Sequence, residues 1–136
     1  MTKVVATHAN PARATQDILR DLLAARDDYT PLRRGLPRDW TPAAGTHGTV
    51  QWDGTPGADP PIRYGASVRV TVWDADPNTA EDTAVLWQAL LLAYTGGPDV
   101  ARFRFQAGVL PGVDPDNKAP LASFTVRADM RGRVVL

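Results

Sequence analysis

Residues 78–97, NTAEDTAVLWQALLLAYTGG, constrain the fold more than any other stretch, because they spell one amphipathic helix with its start, apolar face and end all legible. Ala80, Ala84, Trp87, Leu91 and Tyr94 recur at the helical period as a single stripe, which Leu86, Leu90 and Ala93 widen. Such a stripe needs a sheet or a second helix to cover it. Asn78 is placed to cap the first turn, with Glu81 three residues on as in a capping box. Glu81 and Asp82 set negative charge at the positive end of the helix dipole. Gly96, Gly97 and Pro98 stop the helix.

Period-two alternation lies on both sides of it. Across 64–73, Val68, Val70 and Val72 point one way and Ser67, Arg69, Thr71 and Trp73 the other. After the helix, Ala101, Phe103 and Phe105 alternate with Val100, Arg102 and Arg104. A loop over 108–120 follows, and then Ala122, Phe124, Val126 and Ala128 alternate with Ser123, Thr125, Arg127 and Asp129. The apolar sides of three strands can cover the helical stripe. The predicted fold class is therefore α+β, a two-layer domain with two helices packed on a mostly antiparallel sheet of about four strands. The last two strands are joined closely enough for an antiparallel pair.

The other predicted helix begins at Pro11, whose missing N–H is no loss in a first turn, and runs to about Asp27. Ala14, Ile18, Leu22 and Ala25 form its apolar row with Leu19 and Leu23 beside it, while Arg13, Gln16, Asp17, Arg20 and Asp21 face away. Residues 1–10 read as a short flexible tail. Residues 28–63 read as an extended segment in which Pro31, Pro37, Pro42, Pro56, Pro60 and Pro61 mix with Gly35, Gly45, Gly48, Gly54 and Gly57. Within it only residues 49–52, TVQW, alternate as a strand, with Asp53 and Gly54 as a turn after it. An irregular segment of this length in a small domain is usually functional or disordered. No internal repeat is visible.

At 136 residues the chain is of single-domain size, so 1–136 is read as one domain able to bury a core without a metal or disulfide. Its 15 basic and 15 acidic residues cancel, which argues against bulk nucleic acid or an anionic membrane as the main partner. Cysteine is absent, which excludes disulfides, thiolate zinc sites and cysteine nucleophiles. The longest apolar run, 89–94, is far short of the roughly 20 residues that span a bilayer, and the N-terminus shows no signal-peptide pattern. A soluble protein of the cell interior, or of an assembly built there, is the expectation.

No catalytic, cofactor or metal site is expected. His8 and His47 lack partners at triad or metal spacing and read as solvated, and Ser67 and Ser123 sit on strands without a nucleophile elbow. Phosphate-binding glycine motifs are missing. Asp114, Asp116 and Asn117 look like the start of a calcium loop, but Ala119 and Thr125 stand where Gly and Glu are needed, so a turn explains them. An unrecognised enzyme site built from Asp99, Asp114, Asp116 or Asp129 has no base or metal to pair with. The arginines carry more. Arg69, Arg102, Arg104 and Arg127 all take the polar side of predicted strands, so on one sheet their guanidinium groups share a surface. That surface is either ordinary solvated charge or a docking face for a neighbouring subunit or passing nucleic acid, and neutral net charge favours the subunit. Trp40, Trp52 and Trp73 serve equally as core caps or interface anchors.

The C-terminal half, over about 64–131, carries VRVTVWDAD, LLLAYTGGPDV, ARFRFQAG, VDPDNKAP and PLASFTVRADMR in that order. This run resembles the tail terminator proteins of long-tailed phages of actinobacteria, most specifically in the GG turn and the PLASFTV strand. The resemblance implies a structural virion protein with no enzymatic step and no cofactor. It implies a homo-oligomeric ring, typically a hexamer, at the head-proximal end of the tail, which stops tube polymerisation and joins the tail to the head. The implied partners are other copies of the chain, the tail tube protein and a head-completion or neck protein, with DNA only in passage through the channel and no membrane. Assembly would take place in the host cytoplasm. Arg69, Arg102, Arg104 and Arg127 are then expected toward a neighbouring subunit or the channel, and changing Arg102 and Arg104 to Glu is expected to abolish assembly. Two alternatives remain: another neck component, such as a head-completion or stopper protein, and a small nucleic-acid-binding module.

Overall fold

Val68, Val70 and Val72 are fully buried side by side, so the alternation read across 64–73 becomes the middle of a sheet. In the computed structural model, which describes residues 5–59 and 63–135, the elements are β1 (Val5–Thr7), α1 (Pro11–Ala24), β2 (Leu32–Arg33), a short 3-10 turn (Pro42–Ala44), β3 (His47–Trp52), β4 (Gly57–Asp59), β5 (Arg63–Trp73), α2 (Pro77–Leu92), β6 (Val100–Val113), β7 (Pro120–Arg131) and β8 (Arg133–Val135). Residues 1–4 of the expected tail, and Pro60 and Pro61, lie outside the described residues.

The main sheet runs β2-β3-β5-β7-β6, with β4 also paired to β5, and β2-β3 is its one parallel pair among the described residues. It is thus larger than the four strands expected. The additions, β2 and β4, are two and three residues long, too short for periodicity to reveal. A second, two-stranded sheet pairs β1 with β8, so residues 5–7 are not the flexible tail that was expected. Both helices lie on one face of the main sheet. Packing there is chiefly α1 on β3 and α2 on β7 and β6.

The core between the layers holds Trp87, Phe124, Leu19, Leu23, Leu91 and Met130, all essentially inaccessible to solvent. Burying a side chain of this size contributes about 1.5–3 kcal/mol. The six-membered ring of Trp87 lies against Gly48, where a Cβ would collide with it and with Leu32.

Local details depart from the sequence reading for identifiable reasons. Asp76, not Asn78, caps α2: its Oδ1 accepts the Asn78 N–H at 3.1 Å and its Oδ2 the Thr79 hydroxyl at 3.0 Å, because Pro77 suits the first helical position and moves the boundary back. The helix ends at Leu92, before the glycines. On α2 the stripe Ala80, Ala84, Trp87 and Leu91 is buried, but it widens toward Gln88 while Leu86 and Ala93 are exposed. On α1 the buried row is Ala12, Thr15, Leu19 and Leu23, so Ala25 lies exposed beyond the helix and Ile18 and Leu22 are only half-buried.

Asp53 and Gly54 do not turn the chain. Asp53 N–H donates to Ser67 O and Ser67 N–H to Gly54 O, each at 2.8 Å, so residues 47–59 follow β5 as one bent arm, with Gly54 at φ 111° forming the bend. On β6 a register shift between Val100 and Arg102 brings both Val100 and Phe103 inside, while Phe105 stays 62% exposed. The loop expected over 108–120 shrinks to 114–119, since β6 and β7 extend into a long hairpin.

Candidate functional site

Strand register settles which side chains share the face opposite the helices. Ser67, Arg127 and Arg104 lie abreast across β5, β7 and β6, as do Gly65, Asp129 and Arg102, and Gln51, Arg69 and Thr125 lie abreast across β3, β5 and β7. All four arginines singled out from the sequence therefore occupy one face. Three of them converge. Arg102 Nε lies 3.0 Å and Arg104 Nε 2.8 Å from Oδ2 of Asp129, and Arg127 Nε lies 3.7 Å from its Oδ1. Arg69 stands apart, with Nε 3.4 Å from Asp53 Oδ2 and an Nη 2.6 Å from Gln51 Oε1.

The Asp129 side chain is 3% exposed, whereas those of Arg102, Arg104 and Arg127 are 56%, 45% and 41% exposed. A buried carboxylate is tolerated when charge-assisted hydrogen bonds replace its lost hydration, and here two guanidinium groups supply them. Arg127 lies flat across Gly57 and Gly65, neighbours on adjacent strands, where any Cβ would collide with its guanidinium. Three cations against one anion leave an excess of positive charge on a partly solvated face. The intramolecular role of Asp129 is not among the expectations from the sequence, in which it stands as an acid without a partner. Its place two residues from Arg127 on the same alternating face was the available signal.

The acids weighed for an enzyme do not come together. Asp99 pairs with Arg133, Asp129 serves the arginines, and Asp114 and Asp116 lie at the tip of the β6–β7 hairpin. Asp114 Oδ1 accepts the N–H groups of Asp116 at 2.8 Å and Asn117 at 3.2 Å, as a turn requires, and its Oδ2 accepts the Trp73 indole N–H at 3.0 Å. Burial pushes this carboxyl up, but those hydrogen bonds and the Lys118 charge outweigh it and hold the pKa below its ordinary value. Among the described residues, no group of three or more His, Asp or Glu is placed to hold a metal ion.

The Pro/Gly-rich segment supplies β2, β3 and β4 to the main sheet. Trp40 is 8% exposed and donates from Nε1 to Gly45 O at 3.2 Å, and it shares a groove with Pro37, Arg38, Trp73, Asp114 and Asn117. At the start of β3, His47, expected to be solvated, is 4% exposed with neither ring nitrogen hydrogen-bonded. Burial, and then the charge of Arg33, lower its pKa, against a lesser opposing pull from the Gly48 backbone. His8 packs on Tyr64 and Trp52, with ring centroids 4.5 and 5.6 Å away. No helix among the described residues is long and apolar enough to cross a membrane.

No protein-family model matches the sequence, and no curated protein is similar to it at a significant level. Among solved structures the chain is similar to a chain from the virion of a native gene transfer agent particle, with a TM-score of 0.59 and 14% sequence identity. The match covers 88% of this chain and 91% of that one. At that identity what the two have in common is the fold, and they have it over nearly their whole lengths.

Proposed function

We propose that this chain is a structural protein of a phage-like virion that closes into a ring on the end of a tail tube, stops tube growth and joins the tail to the head without performing a covalent reaction. The observation that carries this reading is the end-to-end fold likeness to a chain of a virion particle. The sequence resemblance over 64–131 points the same way. A closed ring of six copies, the expected size, joins a surface of one copy to a different surface of the next, and so requires two distinct docking faces on each subunit. The Arg102, Arg104 and Arg127 face, with its excess positive charge, fits a neighbouring subunit or the channel. The expected partners are the tail tube protein, a head-completion or neck protein and further copies, with DNA met only in passage.

Purified protein added to polymerising tail tubes tests this. Tubes arrested at a fixed length and capped at one end, seen by electron microscopy, are the expected result, while tubes that grow as without the protein overturn it. Capture by tailless heads and not by tubes would point to the other neck roles. The arginine cluster also favours a second reading, a nucleic-acid-binding module. That reading requires log Kd to rise steeply with log salt, with a slope of about 0.9 per phosphate contacted.

A further inference from the structure

Resting on the proposed self-assembly, we infer that the acidic end of the main sheet in one copy docks on the arginine-rich end in the next. The chain is neutral, with 15 acids and 15 bases, but the charges draw apart toward the two ends of β5. Where β5 and β6 begin and β7 finishes stand Arg63, Arg102, Arg104, Arg127, Arg131 and Arg133, against Asp59, Asp99 and Asp129. Where β5 runs into α2 and β6 turns into β7 stand Asp74, Asp76, Glu81, Asp82, Asp114 and Asp116, with Lys118 and Arg38 as the cations beside them. Asp74 N–H donates to Pro120 O at 3.2 Å and the Trp73 indole to Asp114, which ties the two acidic turns together. The 11 residues of β5 hold the ends about 33 Å apart.

Neither end is neutralised within its own copy. Arg63 lies directly opposite Arg131 across β5 and β7, and Arg127 directly opposite Arg104 across β7 and β6. Like charges directly opposite across strands destabilise a sheet, and the single carboxylate of Asp129, shared by three arginines, offsets only part of this. Arg102 and Arg104 spend Nε on Asp129, and among the described residues nothing accepts from their Nη groups, so each guanidinium keeps its outer donors for another molecule. At the far end, none of the six acids forms an ion pair among the described residues. Beside them a groove of about 400 Å³ is lined by Trp40, Trp73, Asp114 and Asp116. Aromatic and carboxylate walls together suit an arginine side chain.

The charges select a second copy as the partner. The excess at one end has its complement at the other end of the same chain, whereas a surface built for nucleic acid gives its domain a basic excess. The two ends are different surfaces carried by every copy, so their contact runs head to tail, as a closed ring requires.

Charge reversal at two exposed positions away from Asp129 gives a reciprocal test on the full chain, read by sedimentation velocity with and without tail tubes. Asp116→Arg alone and Arg131→Glu alone are each expected to weaken assembly at least tenfold with thermal melts little changed. An equimolar mixture of the two variants is expected to recover it, since each reversed end then meets its complement, and a variant that had merely unfolded would not be rescued. Wild-type assembly is expected to weaken as salt rises from about 0.05 to about 0.5 M, because the screening length falls about threefold. If the wild type assembles and both single variants assemble equally well, the end-to-end contact is wrong and the ring reading survives. Recovery that stops at two copies means a closed pair and overturns the head-to-tail contact. Binding of a short DNA duplex by the wild type but not by Arg131→Glu gives the arginine end to nucleic acid and overturns it as well. If the wild type stays monomeric both alone and on tubes, this contact and the ring both fall.

Discussion

Arg104 Nε lies 2.8 Å from Oδ2 of Asp129, a side chain only 3% exposed, and Arg102 Nε reaches the same oxygen at 3.0 Å. The arginines expected to serve only as contacts to other molecules are thus first held within their own subunit. Their Glu variants, the direct test suggested by the sequence, would set new carboxylates against a buried one and unfold the strand pair before reporting on assembly. Asp129→Ala is expected to destabilise the chain by about 2 kcal/mol. This lies below the roughly 3–5 kcal/mol for breaking a fully buried ion pair, because the arginines are half solvated. Asp129→Asn should lose less, and urea denaturation measures both.

Glycines at two places should respond differently to a methyl group. In Gly48→Ala the new Cβ meets the Trp87 ring in the core, and about 1–3 kcal/mol is lost to overpacking. In Gly65→Ala it meets the end of the flexible Arg127 side chain, which swings aside, so the change stays within about 1 kcal/mol. Thermal melts of the two variants should rank in that order, and equal losses would contradict the geometry.

The start of α2 offers a paired test of which residue caps it. Asp76→Ala removes acceptors for the Asn78 N–H and the Thr79 hydroxyl and should cost about 1 kcal/mol. Asn78→Ala should leave stability nearly unchanged. The reverse ranking in denaturant midpoints would restore Asn78 as the cap.

His47 gives stability a dependence on pH. Its folded pKa lies below the ordinary value of 6.5, so the unfolded chain takes up the proton first as pH falls. The stability that the neutral ring permits is complete well above pH 6.5 and is lost as pH drops from there toward the folded pKa. Melting temperatures measured from pH 7.5 to 5 should therefore decline, and His47→Leu should flatten that decline. The depressed pKa of Asp114 acts only at lower pH, outside this window.

Sequence pattern and structure agree where one strong local period coincides with burial. The Val68, Val70 and Val72 row, the Ala80, Ala84, Trp87 and Leu91 stripe and the Phe124, Val126 and Ala128 row are all buried. They part where two local choices are nearly equal. The start of α2 lay between Asp76 and Asn78, and its second flank between Leu86 and Gln88, since a helix apolar nearly all round does not show from its own period which flank turns inward. On β6 the register shifts broke the alternation that would have buried Phe105.

By itself, the sequence determined the two helices, the three long strands and the placing of Arg69, Arg102, Arg104 and Arg127 on the polar side of those strands, because side-chain periodicity is a property of neighbours along the chain, whereas the strand register of one shared sheet put those sides on a single face. Only the tertiary structure decided that β5 lies between β3 and β7, that β1 pairs with β8, and that Asp129 gathers three of those four arginines while Arg69 goes to Asp53. These are choices among distant partners of similar local fitness. They are resolved by which pairings bury the valine rows together and leave the carboxylate within reach of the guanidinium groups, and no local pattern records that.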